Sequence, residues 1–378
     1  MQTKLIKLDP MKIDAAKVKE AAKVVDAGGL VAFPTETVYG IACRVEAASL
    51  AKLDNIKGRG TDGYATGKYY TLHIGRTADV EKYVPSVGLR AKKLIKNAWP
   101  GPLTIVFELT ESNIKKRKKN IKKEVFERLY KDNTIGIRCP DNAIAAMLLQ
   151  ATKEPVVAPS ANKTSQPPAT DAEQVLAQFS GQIDLLLDGG PCKYKKSSTV
   201  VKIGKKELEI LREGVYSKEE LEEMSKVKFL FVCTGNTCRS PMAEGMFRKL
   251  LAEKLQCKID QLDKIGYKVS SAGVMNMAGS PASAEAIAAC AAKGIDIKAH
   301  KSQTLTRQLV RESDFIFAMT QMHCERVAAI EPGAADKCIL LRRNKEVPDP
   351  IGQPQEFFKD CAGLIEGAVK ERISELWI

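Results

Sequence analysis

Apolar residues in this chain fall into two kinds of segment. Short continuous runs, bounded by Gly, Pro, Ser or Asn, read as buried strands: Leu30–Phe33, Thr104–Leu109, Thr134–Pro140, Pro155–Asn162, Ser198–Val201 and Val227–Val232. Between them lie longer segments with apolar residues at helical spacing. Asp14–Ala27 predicts a helix with one apolar face, closed by Gly28 and Gly29. Met242–Leu251 predicts an amphipathic helix directly after the strand that ends at Val232. Strands alternating with helices predict an α/β protein. No internal repeat joins the two halves. The segment Tyr216–Lys226 carries the capping-box pair Ser217 and Glu220, so residues 217–226 read as a short helix with a hinge between two domains.

Length agrees with that division: 378 residues can build two cores. The composition, 44% hydrophobic and 28% charged, is that of ordinary globular material. No run of about 18 apolar residues is present, which excludes a membrane span, and the N-terminus lacks an apolar secretory segment. Ten cysteines without framework spacing fit a reducing cytoplasm. With no C-x2-C pair and only His73, His300 and His323, no zinc site is expected. The net charge of +13 favours anionic partners: a nucleotide, a phosphoprotein or RNA. Part of that excess sits in Ile114–Lys123. A solvated surface insertion is the favoured reading there over an RNA contact, because no aromatic residue interleaves the run for base stacking.

The densest chemistry lies at the end of the Val227–Val232 strand. Cys233, Thr234, Gly235, Asn236, Thr237, Cys238 and Arg239 run into Ser240 and Pro241 at a helix start. A small-residue turn between strand and helix aims backbone N–H groups inward, which suits a tetrahedral anion. Arg239 can grip two anion oxygens. The same field would hold the Cys233 thiol well below its ordinary ~8.5 and make it a nucleophile. Ser240 is expected to cap the helix, with Pro241 in its first turn. Asp349, on the Pro-flanked loop Val347–Pro350, is a candidate proton donor to a leaving group.

These residues, with Ser271–Gly273, His300–Ser302, Asp314, Ala318–Thr320 and Asp349–Pro350, resemble the low-molecular-weight protein phosphatases over residues 227–378. The resemblance implies a Rossmann-like domain with a four-stranded parallel sheet, needing no cofactor. It also implies a phosphocysteine at Cys233, anion binding by Arg239, Asp349 as acid and then base, and a phosphate loop of Thr234, Gly235, Asn236, Thr237, Cys238 and Ser240. Thr237 departs from the tyrosine-specific version, which carries an aliphatic residue, and resembles the protein-arginine phosphatases. Ile351 stands where tyrosine phosphatases often place an aromatic ring. Phosphoarginine is therefore slightly favoured over phosphotyrosine. Arsenate reduction is a rival for such a loop, but Cys257, Cys290, Cys324, Cys338 and Cys361 include no two close in sequence to act as a thiol relay.

The N-terminal half carries hydroxyls and cations at its strand ends. The turn Pro34–Gly40 suits a small polar ligand, and Lys57 and Arg59 have a spacing fit for a triphosphate. Together with Leu72–Ile74, Pro100–Thr104, Arg138, Ser160–Asn162, Asp188–Gly190 and Ser198–Val201, these segments resemble the threonylcarbamoyl-adenylate synthase (YrdC/Sua5-like) family over residues 1–216. The resemblance implies a twisted mixed α/β sheet around a positively lined cavity. The implied reaction joins L-threonine, bicarbonate or CO2, and ATP into threonylcarbamoyl-AMP and pyrophosphate, with Mg²⁺ accompanying ATP. The product feeds N6-threonylcarbamoyladenosine formation at position 37 of tRNA, which implies the t6A transferase machinery as a partner. Lys57, Arg59, Thr104, Arg138, Ser160, Asn162 and Ser198 are the expected ATP contacts. Thr35, Thr37, Tyr39 and His73 are the expected threonine contacts. The stretch Lys68–Leu72 departs from the family's usual form and leaves the closing of the site to be seen. The expectation is a bifunctional cytoplasmic enzyme. The alternative is a phosphotyrosine phosphatase beside a non-catalytic RNA-binding domain.

Overall fold

A computed structural model describes residues 2–59 and 70–378. The chain divides into two compact units, Met1–Val87 with Ala91–Met224, and Gly88–Arg90 with Ser225–Ile378.

The first unit holds ten strands: β1 (Lys4–Lys7), β2 (Val31–Phe33), β3 (Gly40–Arg44), β4 (Leu72–His73), β5 (Leu103–Glu108), β6 (Thr134–Arg138), β7 (Val156–Val157), β8 (Leu185–Asp188), β9 (Thr199–Ile203) and β10 (Leu208–Arg212). They form one mixed sheet in the order β1-β8-β2-β3-β7-β4-β6-β5-β9-β10. Strand alternation divides the core between the two faces. Leu30 and Ala32 join one cluster with Ile41 and Cys43, while Val31 and Phe33 join another with Ala42 and Leu185. The helix Ala15–Asp26 is capped by the Asp14 side chain and ends before Gly28, whose φ of +84° lets the chain turn back toward β2. The basic segment is mostly the helix Glu111–Asn120, which has no buried residue. Burying none of its lysines avoids their desolvation cost. The helix Lys218–Ser225 has the reciprocal bonds of a capping box: Ser217 N–H donates to Glu220 at 2.8 Å and Glu220 N–H to Ser217 Oγ at 3.2 Å. Leu221 on this helix is buried in the first unit's core.

The second unit is a four-stranded sheet, all parallel, of β11 (Val227–Cys233), β12 (Tyr267–Gly273), β13 (Phe315–Ala318) and β14 (Cys338–Leu340) in the order β12-β11-β13-β14. β11 is central and covered on both faces, so from Phe229 to Cys233 it reads as a continuous apolar run. Phe229 and Phe231 pack on Phe247, with ring centroids 4.7 and 5.3 Å away, and lie in the cluster with Met246, Ile365 and Val369. Leu230 and Val232 face the opposite cluster with Val310 and Val327. Each such burial contributes about 1.5–3 kcal/mol. The chain order reverses at β11, whose neighbours are β12 and β13. The crevice beyond its carboxyl end, where Cys233 stands, is the place where open α/β sheets bind ligands.

Candidate active sites

In the second unit the loop after β11 folds around the Cys233 sulfur. Asn236 adopts a left-handed φ of +57°, which reverses the chain so that its backbone N–H donates to Cys233 Sγ at 3.2 Å. The Asn236 side chain holds this geometry: its Nδ2 donates to Ser240 Oγ and Ser271 Oγ, each at 2.8 Å, and its Oδ1 accepts from Gln303 N–H at 2.9 Å. His300 Nε2 lies 2.8 Å from the Asn236 carbonyl oxygen. Ser240 Oγ accepts from Asn236 and lies 2.9 Å from Cys233 Sγ, so its own proton is directed at the sulfur. Gly273 permits the close approach of β12, since a Cβ there would meet the Thr234 carbonyl at 2.8 Å.

Arg239, only 4% exposed, donates to the Val347 carbonyl at 3.2 Å and to Thr234 Oγ1 at 3.0 Å, and its Nη2 also donates to the Asp349 carboxylate. Arg239 thus links the loop after β11 to the Val347–Pro350 loop. The thiol departs from expectation. Burial pushes Cys233 up, and the Ser240 hydroxyl and N–H, the Arg239 guanidinium and the Asn236 N–H oppose that without reversing it. The physical reason is that the loop closes over the sulfur and leaves it 2% exposed, which disfavours the thiolate more than these groups favour it. Ser240 also departs: it lies inside the helix Arg239–Leu255, whose N-cap is Cys238, and so it serves the sulfur and not the helix end. Pro241 does occupy the first turn.

In the first unit a cavity of about 190 Å³ opens at strand ends. Eight of the expected residues line it: Thr35, Tyr39, Arg59, His73, Thr104, Arg138, Ser160 and Ser198. Arg138 Nη2 donates to Thr37 Oγ1 at 2.6 Å, Glu36 Oε1 at 2.9 Å and Thr35 Oγ1 at 3.3 Å. Thr104 and Ser198 hydroxyls lie 3.2 Å apart, and Tyr39 OH donates to the Gly190 carbonyl at 2.8 Å. His73 Nδ1 lies 3.1 Å from the Thr71 carbonyl, so it carries the ring proton and leaves Nε2 as an acceptor. Burial, and then Arg138, push His73 down to about 3, which keeps the imidazole neutral.

Three guanidinium groups, Arg59, Arg138 and Arg212, converge on this cavity. Arg59 Nε and Arg138 Nε are buried without a hydrogen-bond partner among the described residues. Burial holds Arg212 below its ordinary value, and the charge of Arg138 adds to that. Arg138 is buried and Arg59 half-buried, each paired with a carboxylate on one side, and their orphan Nε–H donors are groups whose cost an anion relieves.

Comparison with known proteins decides the lineage. The Sua5_yciO_yrdC family model (Telomere recombination) matches residues 23–214, half of the chain. The chain belongs to the Sua5/YciO/YrdC family. The model for low molecular weight phosphotyrosine protein phosphatase matches residues 228–377, so this family member carries a phosphatase domain as its second unit. A threonylcarbamoyl-AMP synthase of Pyrococcus abyssi is 30% identical over 239 residues, covering 62% of this chain and 65% of its own length. The low molecular weight protein-tyrosine-phosphatase Etp of Escherichia coli K12 is 36% identical over 154 residues, covering 39% of this chain and 95% of its own length. The chain spans 58–65% of the length of two curated synthases that it matches. The crystal structure of P. abyssi Sua5 complexed with L-threonine superposes with a TM-score of 0.50 at 22% identity, covering 71% of this chain and 92% of that one, a likeness of fold.

Within this Sua5-family chain, three expected residues stand behind the cavity wall. Thr37 braces Arg138. Lys57, 2% exposed, turns its amino group onto the carbonyls of Ser160 and Asn162 at 2.5 and 2.6 Å, and so holds that loop. Asn162 ties the same loop through the Lys163 and Gln166 carbonyls. Lys68 and Tyr69 lie outside the described residues. Tyr70 lines the cavity and donates to Asp54, which also holds Arg59 at 3.4 Å. Arg212, Tyr70, Asp54, Ser271 and His323 were missed as site residues. Two had a readable signal: Ser271, within the Ser271–Gly273 segment, and Arg212, an Arg at a strand end. Among the described residues no group of three or more His, Cys, Asp or Glu could hold a metal ion, and no helix is long and apolar enough to cross a membrane.

Proposed function

We propose that the first unit condenses L-threonine, bicarbonate or CO2, and ATP into threonylcarbamoyl-AMP, the precursor of N6-threonylcarbamoyladenosine in tRNA. The observation that carries this reading is the convergence of Arg59, Arg138 and Arg212 on one cavity, with unpartnered N–H groups on two of them. The neutral threonine amine adds to CO2 and gives up a proton to water, leaving a carbamate anion. A carbamate oxygen attacks the α-phosphorus of ATP, and pyrophosphate leaves. The carbamate is already anionic, so the step asks for positioning and charge neutralisation rather than a base. The arginines serve the phosphates, Mg²⁺ arrives with ATP as part of the substrate, and neutral His73 offers Nε2 to the threonine amine. Arg59→Ala should lower threonine- and bicarbonate-dependent pyrophosphate release about 10–100-fold, the loss of a charged hydrogen bond to phosphate. Phosphatase activity of the same variant should be unchanged, and its circular dichroism spectrum reports the folding of the first unit. Normal pyrophosphate release in this variant would remove Arg59 from the ATP site, whereas a wild-type chain with no threonine- and bicarbonate-dependent release would favour an RNA-binding role for this domain.

The second unit is proposed to hydrolyse phosphoproteins through a phosphocysteine. Cys233 Sγ attacks phosphorus, Arg239 and the loop hold the phosphoryl oxygens, and Asp349 gives its proton to the departing group. Asp349 then takes a proton from the water that cleaves the S–P bond, restoring thiolate and acid. Two observations support phosphoarginine: Thr237 offers a half-buried hydroxyl at the loop, and Ile351, 66% exposed, builds no aromatic wall beside the acid. Thr237→Ile should shift the ratio of kcat/KM for phosphoarginine over phosphotyrosine downward about tenfold, as the loss of one polar contact requires. A wild type that strongly prefers phosphotyrosine, or a ratio that does not move, replaces this reading with phosphotyrosine.

A further inference from the structure

We propose that His323 is a positioning residue of the phosphatase reaction, acting through the Thr234 hydroxyl on Arg239. The proposal rests on the phosphatase reading above.

His323 is fully buried near the start of the helix Gln321–Ile330, and residue 320 is its N-cap. A backbone N–H can only donate, and Thr320 N–H reaches His323 Nδ1 at 3.2 Å. Thr320 Oγ1 lies 2.7 Å from the same nitrogen. Nδ1 is therefore an acceptor, and the ring proton sits on Nε2. That nitrogen lies 3.0 Å from Thr234 Oγ1, so Nε2–H donates to the Thr234 hydroxyl. Arg239 Nη2 donates to the same oxygen at 3.0 Å and also to Asp349. The result is a continuous chain from a helix N-terminus through His323, Thr234 and Arg239 to the proposed acid.

Two consequences follow from donor and acceptor counting. Thr234 Oγ1 accepts two hydrogen bonds, so both of its lone pairs are used and its own proton has to be donated outward from the loop that follows Cys233. The Arg239 Nη2 group is also held by Thr234 and not by Asp349 alone, which keeps the guanidinium in place for phosphoryl oxygens instead of letting it follow the carboxylate. A carboxylate at position 323 could accept from Thr320 but could not donate to Thr234, and it would compete with substrate for Arg239. An imidazolium would set a second cation against Arg239. Burial, and then the Arg239 charge, push His323 down to about 4, against the opposing effects of Asp349 and Glu346, so the neutral ring persists. A neutral side chain that accepts at one end and donates at the other meets these demands.

The two ends of the ring can be separated in the full-length chain. His323→Asn keeps an acceptor for Thr320 N–H and removes the donor to Thr234. His323→Gln places an amide N–H at the reach of Nε2. Thr234→Val removes the acceptor from the other end and covers the case of a misfolded His323 variant. With p-nitrophenyl phosphate, His323→Asn and Thr234→Val should each lower kcat about tenfold, the worth of one positioned hydrogen bond. KM should stay within about twofold. The double variant should be no slower than either single one, because both break the same link. His323→Gln should recover most of kcat, within about threefold of wild type. Wild-type kcat in His323→Asn, or losses that multiply in the double variant, overturns the proposal while leaving the phosphatase reading standing. A wild-type chain that hydrolyses no phosphomonoester overturns both.

Discussion

Replacing Cys233 with serine is expected to lower phosphomonoester hydrolysis by roughly 10⁴-fold or more, as for other enzymes that lose their nucleophile. The sulfur is 2% exposed and receives the Asn236 N–H and the Ser240 hydroxyl, contacts that a serine oxygen at that position can also accept. The loop should keep its shape, since Asn236 is held by Ser240, Ser271 and Gln303 independently of the sulfur. What changes is ionisation. Burial already works against the Cys233 thiolate, and a hydroxyl is a far weaker acid than a thiol, so the Arg239 field is too small to ionise it. Steady-state rates with p-nitrophenyl phosphate measure the loss, and unchanged threonine-dependent pyrophosphate release shows that the rest of the chain is intact. Residual phosphatase activity above about one percent of wild type would mean that a different residue is the nucleophile.

The parts of each site that lie on contiguous sequence were the legible ones. Cys233 to Arg239 are consecutive, and the strand before them and the helix after them are marked by Phe229, Phe231, Met246 and Phe247, so the loop's position at a strand end followed from pattern alone. The carboxylate at 349 was legible because prolines flank it. What could not be read was direction. Lys57 and Arg59 are two apart, yet Arg59 lines the cavity while Lys57 is spent on the carbonyls of Ser160 and Asn162, about a hundred residues away. Ser240 looked like a cap from its place at a helix start, but the helix begins one residue earlier and its hydroxyl is claimed by Cys233. Cys233 itself shows how burial escapes local reasoning: the folded loop leaves the sulfur 2% exposed, and that raises the thiol more than the adjacent Arg239 lowers it. Cys324 and Cys338, distant in sequence, line one cavity of the second unit, and only the packing of helix Gln321–Ile330 against β14 reveals it. His323 was noted only as one of three histidines, because the partner that gives it meaning, Thr234, lies on another strand end.

Asp349→Asn is expected to slow hydrolysis of poor leaving groups about 10²–10⁴-fold and to slow good ones much less, the signature of a lost general acid. Asparagine keeps the size and the hydrogen-bonding oxygen but has no proton to give an alkoxide or an amine. A nitrophenolate leaves without help, so its rate isolates the remaining functions of the side chain. The structure adds a second expectation with a definite sign. Asp349 is the carboxylate paired with Arg239, and removing its charge returns the whole guanidinium field to the loop. The Cys233 thiol should then ionise at lower pH than in wild type, because one of the groups opposing burial is strengthened. The rate of iodoacetamide alkylation against pH reads this directly: the midpoint should move down in Asp349→Asn, even as turnover of phenyl phosphate falls. The two measurements pull in opposite directions only if the carboxylate is both the proton donor and the partner that restrains Arg239. Equal slowing of every substrate, with an unmoved alkylation midpoint, would reduce Asp349 to a structural anchor of the Val347–Pro350 loop and leave the acid to be found elsewhere.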